Sequence, residues 1–305
     1  MPVNIPADLP AVETLGAENV FVMTEKRARS QDIRPLEIGI VNLMPTKIAT
    51  ETQLLRLLSN SPLQVEVALI QMESHVSKNT SGEHLAAFYR SFSDIRDRRL
   101  DGLIITGAPV EELEFEQVDY WDELCAMMEW SKTHVYSTMH ICWGAQAALY
   151  YHHGINKYHL GEKLSGVYYH SVMIPTSRLM RGFDDPFLAP HSRYTGVRSQ
   201  DIEAAGLSVL SASEKAGVYI AANANRRQVF VSGHAEYDRY TLDAEYRRDV
   251  DKAIDPAVPL NYYPGGNPDN PPDMLWRAHA NLLFSNWLNY YVYQETPYDL
   301  TKLPI

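Results

Sequence analysis

The sequence predicts an α/β protein, a mostly parallel sheet flanked by helices. Three observations carry this. The first half alternates short apolar runs with segments of helical period, both chemically suggestive motifs follow a strand, and the chain closes on a long apolar stretch. Strand, helix, strand, helix, strand in succession is best satisfied by parallel strands joined through crossover helices.

Residues 1–34 read as an N-terminal extension, Pro-rich at first and then helical over about residues 11–25. The sheet starts at residues 36–43, Leu-Glu-Ile-Gly-Ile-Val-Asn-Leu. Met44-Pro45-Thr46-Lys47 then makes a loop, and residues 49–58 form a helix with Leu54, Leu55 and Leu58 on one face. Residues 65–70 are the next strand. Residues 81–92 are a helix with Leu85, Phe88 and Phe92 on one face, and Leu103-Ile104-Ile105 is a third apolar strand. A helix over 120–132, rich in Trp, Leu and Met, packs Cys125 against the sheet. Residues 133–139 are a β-branched and aromatic strand, followed by an Ala-rich helix over 145–151. From Lys163 the texture changes to Gly, Ser, His and aromatic residues, which suggests β-structure and loops decorating the sheet. Residues 207–210, 216–221 and 228–232 read as a β-meander, and residues 241–253 as a charged helix. After a Pro/Gly/Asn loop over 261–274, residues 275–293 form a terminal helix that is apolar nearly all round, so it is buried against the body or a partner subunit. No repeat or linker divides the chain, and residues 35–305 read as one domain.

Composition narrows the function. With 45% hydrophobic residues in 305, the chain can bury a sizeable core. Its net charge of −11 argues against nonspecific binding to nucleic acid or an anionic membrane. Two cysteines are too few for a disulfide framework and fit a reducing cytoplasm. No Cys/His cluster has zinc spacing and no Gly-rich loop has a phosphate-binding pattern, so neither a metal nor a bound cofactor is expected. Asp8, Glu13 and Glu18 sit where a signal peptide would be apolar, and no apolar run approaches membrane-spanning length.

Chemistry concentrates in His140-Ile141-Cys142-Trp143-Gly144-Ala145-Gln146. A nucleophile at a strand-to-helix turn sits on a strained corner at the carboxyl edge of the sheet. Amides of the new helix point at it and favour a thiolate. The plainer reading is a buried cysteine that ends a core strand. The second motif, Gln-Val-Phe-Val-Ser-Gly-His-Ala-Glu-Tyr, places His234 and Glu236 just past another strand. A thiolate nucleophile needs a base, and the base needs a partner that fixes its tautomer. Cys142, His234 and Glu236 supply the three roles. Lys47, the Gly107-Ala108 turn, Cys142 and His234 all fall at the sheet edge where ligands of such folds bind.

The Cys142-Trp143-Gly144-Ala145-Gln146 and His234-Ala235-Glu236 segments resemble the class I glutamine amidotransferase-like fold, which uses a Cys-His-Glu triad, here with N- and C-terminal helical additions. Further stretches resemble the homoserine O-acyltransferase family on that fold. They are Asn42-Leu43-Met44-Pro45-Thr46-Lys47, Ile105-Thr106-Gly107-Ala108-Pro109, Ala189-Pro190-His191-Ser192-Arg193-Tyr194 and Asn286-Trp287-Leu288-Asn289-Tyr290-Tyr291-Val292-Tyr293. The resemblance implies the first committed step of methionine synthesis from homoserine: an acyl-CoA acylates Cys142, and the homoserine hydroxyl then takes the acyl group. It implies His234 as base in each half-reaction and Glu236 as its orienter. Substrate contacts fall at Lys163, Ser192 and Arg248, and a guanidinium can grip the α-carboxylate bidentately. The Trp143 amide is an oxyanion candidate, and Lys47 or the Gly107-Ala108 turn could add another donor. The residue after Gly-Ala-Pro-x separates acetyl-CoA from succinyl-CoA users in this family. It is Glu111 here, which points to acetyl-CoA unless it is only the first acid of a solvated run with Glu112, Glu114 and Glu116. A homodimer is also implied. Two rivals are a glutamine amidotransferase subunit, which would need a synthase partner, and a non-enzymatic member of the fold.

Overall fold

The central strands bury side chains on both faces, and that sets the architecture. All six residues of Leu100–Ile105 are buried, which is why the strand's second half, Leu103-Ile104-Ile105, reads as an apolar run. Its one acid, Asp101, is held by a bidentate pair with Arg34 at 2.9 and 3.0 Å and accepts the Glu37 amide at 2.7 Å. A buried carboxylate is tolerable only when answered in this way.

The computed structural model describes residues 3–6, 8–17, 23–24, 34–77 and 79–303. In chain order the strands are β1 (Val3–Ile5), β2 (Met23–Thr24), β3 (Leu36–Val41), β4 (Val65–Ile70), β5 (Tyr89–Arg90) and β6 (Leu100–Ile105). They continue with β7 (Val135–Ile141), β8 (Tyr158–Val172), β9 (Phe187–Gly196), β10 (Ser208–Ser213), β11 (Gly217–Ala222) and β12 (Gln228–Val231). They lie in the order β2-β1-β4-β3-β6-β7-β12-β11-β10-β8-β9, with β5 beside β4. Pairings from β2 to β12 are parallel. Those from β12 through β11, β10 and β8 to β9 are antiparallel. The sheet is therefore mixed, parallel in its first half.

Alternate residues of the strands feed two cores. Ile38, Ile40 and Ile104 pack with Leu54, Leu55 and Leu58 of helix Lys47–Ser59 and with Leu283 and Trp287 near the C-terminus. Val41, Leu103 and Ile105 pack on the other face with Leu124 and Met128 of helix Trp121–His134 and with Trp143 and Ala147. Gly102 is what lets Trp287 lie flat on β6, since a Cβ there would come within 2.8 Å of the indole ring.

Four expectations are revised. The N-terminal helix spans Ala11–Ala17; residues 18–22 and 25 of the expected helix fall outside the described residues. The same segment carries β1 and β2, which extend the sheet beyond β4. The single helix expected over 81–92 is instead helix Gly82–Phe88, strand β5 and helix Phe92–Ile95. Ser91 explains the restart, because its hydroxyl and the Asp94 carboxylate form a capping box that begins the second helix. The region after Lys163 does not merely decorate the sheet: β8 and β9 continue it as a long antiparallel hairpin. The terminal helix runs over Arg277–Asn286 and then widens to a π-helical stretch, Trp287–Tyr293. Helix Ser199–Ala204 was not anticipated.

Candidate active site

Cys142 follows β7 directly and opens helix Trp143–His153. Its φ of 51° is unusual for a residue with a side chain, and such strain persists only where the surroundings enforce it. They do so here. The Cys142 amide donates to the Val231 carbonyl at 2.7 Å, and its own carbonyl accepts from Ala145 and Gln146 at 3.0 and 3.2 Å. Gly144 is required by a close approach: a Cβ there would lie 2.5 Å from the Thr106 carbonyl oxygen and 2.9 Å from that of Ile105. The helix ends at Gly154, whose φ of 68° suits the left-handed cap.

His234 and Glu236 follow β12, the parallel neighbour of β7. The His234 amide donates to Pro190 O at 2.9 Å. Its Nδ1 lies 2.7 Å from Glu236 Oε1, and the ring stacks on Tyr237 with centroids 4.1 Å apart. All three groups are buried. Burial works against a charge on His234, but the Cys142 sulfur, which shares a hydrogen bond with it, and the Glu236 carboxylate outweigh that and hold its pKa well above the ordinary value. The arrangement favours an imidazolium on His234 beside the Cys142 sulfur.

The cleft over Cys142 has a volume of about 1860 Å³ and is also lined by His234, Glu236, Glu111, Lys163, Ser192 and Arg248. Lys163 comes from β8, Ser192 from β9 and Arg248 from helix Thr241–Asp251. Lys163 Nζ sits 2.6 Å from Asp249 Oδ2 and 4.0 Å from Glu245 Oε2, and Arg248 reaches Asp249 at 2.8 Å. Ser192 Oγ donates to Glu245 Oε2 at 2.5 Å, and Tyr237 Oη to Glu245 Oε1 at 2.7 Å. Glu245 was read from sequence only as a helix charge. Its signal was the i, i+3, i+4 spacing of Glu245, Arg248 and Asp249, which puts all three on one face.

Glu111 is half-buried in the cleft, whereas Glu112, Glu114 and Glu116 are exposed, so it stands apart from the solvated run. Burial pushes its carboxyl pKa up, against the Tyr194 amide, the charge of His234 and a hydrogen bond from Thr195. The Thr195 hydroxyl lies 3.3 Å from Glu111 Oε2 and 2.8 Å from Gln146 Oε1. Arg193, beside Ser192, is buried and donates to the Thr195 and Ala216 carbonyls at 2.5 Å each; the sequence marked it only as part of the stretch over residues 189–194, with no role of its own.

The two oxyanion candidates part company. The amide of Trp143, first in its helix, has no carbonyl of that helix to bond. Lys47 does not line the cleft: its ammonium donates to the Asn42 carbonyl, and burial lowers its pKa to about 8 against the pull of Glu51. Glu51, fully buried, accepts from Tyr89 Oη at 2.6 Å with His84 Nε2 at 3.0 Å, so Lys47 belongs to a buried polar cluster. Ala108 of the Gly107-Ala108 turn does line the cleft. Among the described residues no group of three or more His, Cys, Asp or Glu side chains could hold a metal ion, and no helix is long and apolar enough to cross a membrane.

Two solved structures align with most of the chain. One is a glutamine amidotransferase from Thermotoga maritima, with a TM-score of 0.55, 13% identity, and 86% of this chain and 100% of that one covered. The other, named SMU.1228c, has a TM-score of 0.55 and 17% identity over 82% of this chain and 97% of its own. At such identities they show the fold alone, which is class I glutamine amidotransferase-like. Closer relatives exist by sequence. A protein from Acetivibrio thermocellus, named homoserine O-acetyltransferase, is 60% identical over 99% of this chain and 100% of its own length. One of the same name from Desulfovibrio desulfuricans is 60% identical over 99% and 97%. The family described as homoserine O-succinyltransferase matches residues 2–298, and the chain belongs to that family of acyltransferases.

Proposed function

We propose that this protein is a homoserine O-acetyltransferase, moving the acetyl group of acetyl-CoA to the hydroxyl of L-homoserine through an acyl-enzyme on Cys142, as a step of methionine biosynthesis. The observation that carries the reading is one cleft holding both the Cys142, His234 and Glu236 set and, beside it, Arg248 and Glu245. A guanidinium and a carboxylate together match the carboxylate and ammonium of an α-amino acid. The relatives named homoserine O-acetyltransferase at 60% identity support the same substrates.

The chemistry runs in two halves. The Cys142 thiolate attacks the thioester carbonyl, and the tetrahedral oxyanion is met by the Trp143 amide. As the intermediate collapses, the C–S bond to CoA breaks and the His234 imidazolium protonates the departing thiolate. His234, now neutral, takes the proton of the homoserine hydroxyl as its oxygen attacks the acetyl-enzyme. Collapse releases O-acetylhomoserine and restores the thiolate and imidazolium. This refines the expectation that His234 acts as base in each half: its raised pKa supports an acid role in the first. Glu236 stabilises the imidazolium and holds the ring. Lys163 and Ser192, which line the cleft, position homoserine in this reading, and Glu111 rejects the free carboxylate of a succinyl group.

The test is intact mass of the protein after acetyl-CoA or succinyl-CoA alone, then after homoserine. One acetyl group that maps to Cys142 and discharges onto homoserine is expected. A succinyl adduct formed faster than the acetyl one would transfer the reading to succinyl-CoA, and glutaminase activity without either adduct would transfer it to an amidotransferase. A cytoplasmic homodimer whose acyltransferase domain spans 35–305 completes the proposal, the dimer checked by sedimentation.

A further inference from the structure

Beyond the groups assigned so far, the cleft is lined by three arginines, Arg56, Arg239 and Arg277, in a chain whose net charge is −11. Local contacts gather them. Arg56 pairs at 2.5 Å with Asp238, which precedes Arg239. Arg239 donates to the Pro272 carbonyl at 3.0 Å. Trp276, which precedes Arg277, donates its indole N–H to the Tyr237 carbonyl at 3.0 Å. Asp238 answers Arg56. Arg239 faces a carbonyl, and Arg277 lies 3.4 Å from the Met274 sulfur, so two cations on this rim meet no carboxylate among the described residues.

The rim is connected to the nucleophile by a suitable path. Helix Lys47–Ser59 presents Ile48, Ala49, Thr52, Gln53 and Arg56 to the cleft, a stripe about 12 Å long at 1.5 Å per residue. Arg239 lies five positions after His234, so their Cα atoms are at most about 18 Å apart. The volume of about 1860 Å³ exceeds the roughly 300–1,000 Å³ of an ordinary small-molecule pocket, and homoserine would fill little of it. We propose that Arg239 and Arg277 bind the phosphates at the nucleotide end of acetyl-CoA, with the pantetheine arm along the helix stripe and the thioester at Cys142. This rests on the acyl-CoA reading above. Arg56 is left out of the test because replacing it would break its ion pair with Asp238.

Three donors separate the possibilities: acetyl-CoA, 3′-dephospho-acetyl-CoA and S-acetylpantetheine, which lacks the nucleotide. In Arg239→Gln and Arg277→Gln, checked for folding by circular dichroism, KM for acetyl-CoA should rise on the order of tenfold each through loss of a charge-assisted contact. The preference for acetyl-CoA over S-acetylpantetheine in kcat/KM should shrink by the same factor, and KM for homoserine should hold. Lysine at either position should restore part of the preference. Which arginine takes the 3′-phosphate is read from the variant insensitive to its removal. Variants that lose activity equally with both acetyl-CoA and S-acetylpantetheine, or keep the wild-type ratio, overturn the subsite alone. A wild-type protein that accepts acetyl from none of the three overturns the acyl-CoA reading with it.

Discussion

Replacing Glu111 with glutamine keeps its size and removes its charge, and the donor preference should follow the charge. The carboxylate lines the cleft that holds Cys142. A succinyl group would bring a second carboxylate toward it. At about 4 Å two like charges repel by ~1 kcal/mol in water and ~4 kcal/mol at an effective dielectric of 20. Arg193 and the hydrogen bond from Thr195 already draw on the Glu111 charge, which places the net penalty between those limits. At 1.36 kcal/mol per factor of ten, the ratio of succinyl-CoA to acetyl-CoA kcat/KM should rise ten- to several-hundred-fold in Glu111→Gln. Glu111→Gly adds space and should raise it further. The pH dependence has a definite sign. Burial raises the Glu111 pKa, so the repulsion fades as pH falls toward that value. Wild type should thus gain succinyl use at lower pH, and Glu111→Gln should not. The raised pKa also contributes stability that is present below the unfolded carboxyl value of 4.5 and lost as pH rises through the folded one. The Gln variant should therefore melt no earlier than wild type at neutral pH. Initial rates with each donor at fixed homoserine decide the matter. A donor ratio unmoved by Gln or Gly would make Glu111 a bystander.

Cys142→Ala should remove the acetyl adduct without unfolding the chain, and an adduct surviving on Cys125 would end the covalent route. Glu236→Gln and His234→Asn should each cost on the order of 10²–10⁴ in rate, and the double variant should lose little more than the worse single one, because the two act as a unit; losses that multiply would uncouple them. Gly144→Ala forces a methyl against two backbone carbonyls, so it should cost ~1–3 kcal/mol of stability, visible as a lowered Tm, and misplace Cys142; wild-type stability and activity would contradict the packing.

The parallel half of the sheet was legible because strands buried on both faces write themselves as apolar runs, as in Leu103-Ile104-Ile105. The proximity of Cys142 to the proposed base was legible because each closes a strand within a short motif, and β7 and β12 turn out to be parallel neighbours. Edge strands β1 and β2, three and two residues long, are too short to show a period. The partners of the substrate-contact candidates were hidden for another reason. Ser192 meets Glu245 across elements distant in sequence, and only the placement of helix Thr241–Asp251 brings them together. Lys47 shows the converse: a lysine near the catalytic edge by position has its ammonium turned inward onto Asn42.

A thiolate with an imidazolium partner can pass an acyl group to water as readily as to an alcohol, so the acceptor side must decide the outcome. An oriented intramolecular nucleophile gains an effective molarity of ~10⁵–10⁸ M, far more than water offers, provided homoserine is held at the acetyl carbon. Arg248 is the group proposed to fix one end of that substrate, and its loss leaves Asp249 still paired with Lys163 at 2.6 Å, so the local structure should survive. Arg248→Ala should therefore acetylate at Cys142 at the wild-type rate but discharge more slowly to homoserine, with a larger share of acetate formed by hydrolysis. Quantifying acetate and O-acetylhomoserine from one pre-acetylated sample measures the partition directly. An unchanged partition, or a slowed first half-reaction, would move Arg248 from the acceptor site to the donor site.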